Sequence, residues 1–236
     1  MGSLTLVRHG QASFLQPDYD KLSTLGELQS RTLGEYWVPR GIRFDHVYYG
    51  PARRQIDTGE IVGRTYRKGG FEWPEPVHLP EFDEYPGIEV VRAFLPALID
   101  KHEDVRLLDE EFRTAGDRTV AARAFEKVFQ RVTRLWVAGE LESPELETWQ
   151  SFCDRVGRGI NTVRDAGGRS VVFSSGGVIA ATVRMALDLS PLRTLELSWS
   201  PRNASYTEFL FSGDRFSLAS FNSYPHLDSP DLLTWR

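Results

Sequence analysis

Residues 4–10 read Leu4-Thr5-Leu6-Val7-Arg8-His9-Gly10. An apolar run cut off by an arginine, an imidazole and a glycine reads as a short strand ending in a turn. A polar loop follows, with Pro17, Asp18 and Asp20. Ser23 or Thr24 then reads as a helix N-cap, with Glu27 three residues beyond Thr24 as in a capping box. The helix is expected to run to about Trp37, stopped by Pro39 and Gly41. The same alternation recurs. Asp45 to Tyr49 is a second β-like run, closed by Gly50-Pro51, and Arg53 to about Arg64 reads as a helix. After a loop marked by Gly69-Gly70, Pro74 and Pro76, a third strand at Val77 to Leu79 leads into Pro80-Glu81-Phe82-Asp83-Glu84-Tyr85.

The middle of the chain changes character. Phe125, Val128, Phe129, Val132, Leu135 and Trp136 recur at helical spacing, as do Trp149, Phe152, Val156, Ile160 and Val163. Residues from about Ile88 to Ala166 are therefore expected to be mostly helical, with Gly167-Gly168 as the stop. No low-complexity linker flanks them, so residues 1–236 are expected to form a single domain carrying a helical insertion at about 88–168. Ser170 to Phe173 is a fourth strand, followed by Ser174-Ser175-Gly176-Gly177 and an apolar helix from Val178 to about Leu187. Tyr206 to Phe211 and Phe216 to Phe221 flank Ser212-Gly213-Asp214 as a strand pair. This pattern predicts an α/β protein, a three-layer α/β/α sandwich around a mainly parallel sheet. Ligands on such sheets bind beyond the carboxyl ends of the strands. Arg8-His9, Gly50 to Arg54, Glu81 and Ser174 to Gly177 all follow predicted strands, so they are expected to converge on one edge.

The bulk numbers narrow the function classes. The chain of 236 residues has a net charge of −5 with both signs interspersed, which argues against a broad nucleic-acid surface. The single cysteine, Cys153, cannot form an internal disulfide. No apolar run is long enough for a bilayer, and Met1-Gly2-Ser3 leads into an apolar segment without a basic n-region. Leu6 stands where a myristoylation motif wants Ser or Thr. The expected location is cytoplasmic, with neither membrane nor nucleic acid as a partner; the sequence does not specify an oligomeric state. No Cys/His cluster suggests a metal, and Gly176-Gly177 lacks the lysine of a P-loop. No cofactor is expected.

Several segments together resemble the histidine phosphatase superfamily, which includes the cofactor-dependent phosphoglycerate mutases. They are Leu6-Val7-Arg8-His9-Gly10-Gln11-Ala12-Ser13 and Leu22-Ser23-Thr24-Leu25-Gly26-Glu27-Leu28-Gln29. Gly50-Pro51-Ala52-Arg53-Arg54-Gln55-Ile56-Asp57-Thr58 is similar to a Ser-Pro-x-x-Arg-x-x-x-Thr pattern. Leu79-Pro80-Glu81 resembles the Leu-x-Glu that carries an acid in that family, and Gly176-Gly177-Val178-Ile179 resembles the segment after its second histidine. The matches follow the family's order. The resemblance implies a phosphomonoester or inorganic phosphate as ligand, and His9 as the nucleophile.

Physical chemistry supports each role. Neutral imidazole attacks phosphorus near pH 7 without prior deprotonation, giving a phosphohistidine that water hydrolyses. Its second nitrogen should donate to a carbonyl or carboxylate. Arg8 and Arg54 offer planar forks for phosphate oxygens, with Arg53 as the alternative to Arg54. Glu81 is the expected general acid, and Asp83 and Glu84 are alternatives on the same loop.

One position departs from the family. Ser175 stands directly before Gly176, where the resemblance implies a second, phosphate-holding histidine. Serine donates one hydrogen bond and carries no charge. Losing one oxyanion donor costs about 3 kcal/mol of transition-state stabilisation. Either Ser175, Gly176 and other donors rebuild the phosphate site, or the protein binds phosphate and turns over slowly, as a binding or regulatory protein. A phosphatase is favoured over a mutase, which must retain and reorient its intermediate. His226 can replace the missing histidine only if the C-terminal segment folds back; His46, His78 and His226 are read as structural, and His102 as a solvated helix residue. The insertion and the aromatics Trp73, Phe82, Tyr85 and Phe94 are expected to shape the pocket or to pack on one another.

Overall fold

The computed structural model describes residues 1–13 and 20–235; Pro17 and Asp18 of the expected polar loop lie outside them. The chain forms two compact units, Met1–Glu84 with Asp154–Arg236, and Tyr85–Cys153. The strands are β1 (Gly2–Arg8), β2 (His46–Tyr49), β3 (Val77–His78), β4 (Arg169–Ser174), β5 (Tyr206–Ser212) and β6 (Arg215–Ser223). The helices are α1 (Thr24–Trp37), α2 (Arg53–Lys68), α3 (Gly87–Lys101), α4 (Glu103–Arg113), α5 (Arg118–Val137), α6 (Trp149–Ala166), α7 (Gly176–Leu187) and α8 (Pro191–Ser198).

All the strands belong to the first unit, in one sheet of order β3-β2-β4-β1-β5-β6. β3, β2, β4 and β1 run parallel, and β5 and β6 complete the sheet antiparallel. The architecture is the predicted α/β sandwich with a mainly parallel sheet. β1 is apolar on both sides because it lies inside the sheet with both faces covered. Val7, Val47, Tyr49, Val171 and Phe173 pack on Leu33 and Trp37 of α1 and Val62 and Tyr66 of α2. Leu4, Leu6 and Val172, also fully buried, alternate to the opposite face. Trp73 packs into the α1–α2 side against Tyr66, Phe44 and Phe173.

Register brings the strand ends together. Arg8 pairs with Ser174 across β1 and β4, and Tyr49 pairs with Phe173 across β2 and β4. His9 N–H continues the ladder to Ser174 O at 2.9 Å, and Gly50 N–H donates to Phe173 O at 3.0 Å. The loop after β1 returns through an Ala12–Leu22 bridge.

Local details differ from the sequence expectations. Ser23 caps α1, its Oγ accepting from Gly26 N–H at 3.1 Å, so Glu27 falls outside the capping-box position. Gly26 takes that position because a Cβ there would collide with the Gln11 backbone. α2 extends to Lys68, past the expected end near Arg64. α8 has no counterpart in the sequence expectations; Ser190 caps it and Pro191 is its first residue. His102 is an extended residue between α3 and α4, and not a residue within a helix.

The second unit contains α3, α4, α5 and the start of α6. Tyr85 stacks on Trp136 and meets Trp149 and Phe152 edge-on. Lys127–Glu111 and Arg131–Asp104 ion pairs join α5 to α4. No described helix is long and apolar enough to cross a membrane.

Candidate active site

The turn after β1 is built around missing side chains. A Cβ on Gly10 would run into the Gly26 carbonyl, so glycine lets the chain pass against α1. Gly10 N–H donates to Thr58 Oγ1 at 3.0 Å, and Thr58 Oγ1 donates to Arg54 O at 2.7 Å. The first turn of α2 is thereby tied to the histidine-bearing turn. From the other side, Asn203 Nδ2 and Ala204 N–H both donate to His9 O at 3.2 Å.

His9 is 7% exposed. Its Nδ1 lies 2.8 Å from Gly10 O. A carbonyl only accepts, so Nδ1 carries the proton and Nε2 carries the lone pair. Arg54 Nε–H donates to that lone pair at 3.3 Å. Burial, then the charges of Arg54 and Arg8, hold the imidazole pKa well below its ordinary value. The neutral form, with its lone pair on Nε2, is thus the resting form near pH 7.

Both expected arginines are at this edge. Arg54 sits beside His9, and Asp20 Oδ1 pairs with its Nη1 at 2.6 Å. The other Asp20 oxygen accepts from Arg53 N–H at 2.7 Å. The Arg53 side chain is half-exposed and faces Asp57 at 3.5 Å, whereas that of Arg54 lies beside His9. Arg8 Nη1 donates to Pro201 O. Its Nε lies 3.9 Å from where a Cβ of Gly176 would be. Gly176 is bare because that Cβ would collide with Ser198 O, the last residue of α8.

The loop of three acids divides. Glu81 lies against Gly159: a Cβ there would come within 2.8 Å of the Glu81 Cβ. The Glu81 Oε2 is buried without a hydrogen-bond partner among the described residues. Asp83 is exposed and caps the next amide, Oδ1 accepting from Glu84 N–H at 2.9 Å. Glu84 reaches the N-terminus of α7, its Oε2 accepting from Gly177 N–H at 3.1 Å. Phe82 between them is fully buried. A 3-10 turn over Pro80–Phe82 sets this division.

Ser175 is the N-cap residue of α7 and fully buried. Its Oγ accepts from Gln55 Nε2 at 2.7 Å. Ser174 Oγ donates to Phe82 O at 2.7 Å. His226 is buried against the rings of Tyr36 and Tyr206. Gln55 and Asp20 are the contributors that sequence reasoning misses as site residues. Asp20 carried no motif. Gln55 did follow a motif arginine, in a segment where Gly50 stands at the pattern's serine. No group of three or more His, Cys, Asp or Glu side chains suited to a metal occurs among the described residues.

These features define an α/β protein whose sheet edge carries a neutral histidine between two guanidinium groups. The chain belongs to the histidine phosphatase superfamily, branch 1, whose family model matches residues 91–224, more than half of the chain. That span takes in β4, Ser175, Gly176 and α7; Arg8 and His9 precede it.

Solved structures share the fold. Phosphoglycerate mutase from Bacillus anthracis is 17% identical with a TM-score of 0.63, over 95% of this chain and 94% of that one. Phosphoserine phosphatase from Entamoeba histolytica is 18% identical with a TM-score of 0.61, over 96% and 100%. A mycobacterial glucosyl-3-phosphoglycerate phosphatase is 19% identical with a TM-score of 0.60, over 94% and 99%. A comparison with curated protein sequences finds no match.

Proposed function

We propose that this protein is a metal-independent phosphomonoesterase that works through a phosphohistidine on His9 Nε2. The observation that carries this proposal is the Arg54–His9 pair. A cationic N–H lies 3.3 Å from an imidazole nitrogen that must be unprotonated, and the opposite nitrogen is fixed by the Gly10 carbonyl. Such a pair suits attack on an anion and serves no evident purpose in packing. The lone pair on Nε2 attacks phosphorus while the bond to the leaving oxygen breaks. Arg8, Arg54 and the Gly176 amide that opens α7 stabilise the charge on the equatorial oxygens. Water then attacks phosphorus, the P–N bond breaks, and His9 returns to its neutral state.

For the acid we choose Glu84 over Glu81 by geometry. Glu84 accepts from the Gly177 amide, next to Gly176, where a phosphate would sit. In the proposed step the Glu84 carboxyl enters protonated and gives its proton to the leaving oxygen. The resulting carboxylate takes a proton from water in the second step. The ligand is a small phosphorylated molecule or inorganic phosphate.

The experiment is steady-state hydrolysis of an aryl phosphate, with wild type and His9→Ala. Turnover lost in His9→Ala is the expected result. Turnover that survives the substitution rejects the phosphohistidine route. A second reading, a phosphate-binding or regulatory protein with weak catalysis, is favoured by Ser175 alone. Vanadate binding by a wild type that shows no turnover would establish it.

A further inference from the structure

Gln55 is fully buried, a costly place for a primary amide unless it is satisfied. Its Oε1 accepts from Ala52 N–H at 3.1 Å. Its Nε2 donates to Phe82 O at 3.3 Å and to Ser175 Oγ at 2.7 Å. The two backbone partners fix which end of the amide is which, since an N–H cannot accept and a carbonyl cannot donate. The amide can reach there because residue 50 has no side chain: a Cβ on Gly50 would collide with Gln55 Oε1 and come within 2.6 Å of Phe82 O. Gly50, Gln55 and Ser175 therefore form one coupled arrangement.

The consequence falls on the Ser175 hydroxyl. With a lone pair committed to Gln55, its proton must point elsewhere, and no described residue accepts it. A buried donor without an acceptor costs about 1–3 kcal/mol. An anion oxygen arriving beside Gly176 would relieve that cost. We infer that Gln55 is a positioning residue that turns the Ser175 hydroxyl into a phosphate donor, from the place where the family resemblance implies a histidine. This inference rests on the proposed phosphate site.

The test is a double-mutant cycle on orthovanadate affinity, measured by calorimetry so that turnover is not required. Ser175→Ala is expected to weaken binding about tenfold, the value of one hydrogen bond to a charged group. Gln55→Met should weaken it to a similar degree. The double variant should be no weaker than Ser175→Ala, because Gln55 acts only through the hydroxyl. Additive losses, as a purely structural role would give, overturn the inference, and so does an unchanged affinity in Ser175→Ala. In both cases wild-type binding leaves the phosphate site standing. A wild type that does not bind vanadate removes the site and the inference together. Thermal unfolding checks each variant, and Gln55→Ala takes the place of Gln55→Met if the latter does not fold.

Discussion

Arg54 Nε lies 3.3 Å from His9 Nε2 and donates to it. The guanidinium therefore excludes a proton from Nε2, and on the proposed phosphohistidine route it stands where the phosphate oxygens would arrive. Burial is the larger reason the imidazole pKa is depressed, with Arg54 next and Arg8 third. A lowered histidine pKa keeps the neutral base populated below the ordinary value. The acid limb of kcat/KM should thus fall below pH 6.5, the unperturbed imidazole value. In Arg54→Met the His9 titration, followed by NMR, should move up only part of the way, since burial remains. The lost oxyanion contact should lower kcat/KM about 100- to 1000-fold. A wild-type limb at or above pH 6.5 contradicts this account.

Glu84 and Glu81 separate by leaving group. An alkyl phosphate needs its departing oxygen protonated, whereas a nitrophenyl phosphate leaves well as the anion. Glu84→Gln should cut kcat about 100-fold or more on an alkyl phosphate, within the usual range for general acid catalysis. On nitrophenyl phosphate the loss should be much smaller. Glu81→Gln should show no such dependence on leaving group. The reverse ranking would return the acid to Glu81.

Asp20 pairs with Arg54, 2.6 Å from Nη1. A phosphate must displace that carboxylate to use the same N–H. Asp20 is 40% exposed, so solvent screens the pair, which is worth up to about 1 kcal/mol. Asp20→Asn should lower KM by up to about fivefold with kcat unchanged. A fall in kcat instead would mean that Asp20 holds Arg54 in its working geometry.

How far the sequence carries can be seen at these residues. The sheet was legible because apolar runs such as Leu4–Val7 and Val171–Phe173 fill strands covered on both faces. Their polar ends then had to lie at one edge, which brought Arg8, His9, Arg54 and Gly176 together. The choice among Glu81, Asp83 and Glu84 was not legible, because the turn at Pro80–Phe82 sets the direction of each side chain and three adjacent acids read alike. Asp20 was invisible for another reason: its partner is 34 residues away and is reached by a loop, not by a periodic element. α8 escaped notice because its one periodic face spans only eight residues, although Ser190-Pro191 is a helix-start signal.

Ser175→His is the obvious attempt to restore the family pattern, and the structure predicts that it fails alone. Gln55 Nε2 stands 2.7 Å from Ser175 Oγ, so the volume beyond that oxygen is taken. Overpacking costs about 1–3 kcal/mol. Ser175→His should therefore lower both melting temperature and kcat/KM. Adding Gln55→Ala should recover both and raise kcat/KM above that of Gln55→Ala alone. A gain from Ser175→His in the presence of Gln55 would show that the pocket has room for both.

Burial of His226 predicts a loss of stability in acid. His226 is 4% exposed and packs against the rings of Tyr36 and Tyr206. Its ring stacks on Tyr206 at 6.2 Å between centroids. Burial lowers its pKa to about 4. The unfolded chain takes up a proton at about pH 6.5 that the folded chain refuses until about pH 4. Stability is therefore intact above pH 6.5 and is lost as the pH falls through that window, by about 3 kcal/mol at its foot. His9, depressed in the same direction, adds to the loss. His226→Phe keeps an aromatic ring against Tyr206 and removes the titration. Urea unfolding at pH 7.5 and pH 4.5 should show a smaller drop for His226→Phe than for wild type. The same drop in both proteins would mean that acid sensitivity in this range originates elsewhere, as in His9. Asp45 accepts from Arg169 N–H at 2.8 Å and has a lowered pKa, so its contribution appears only at still lower pH.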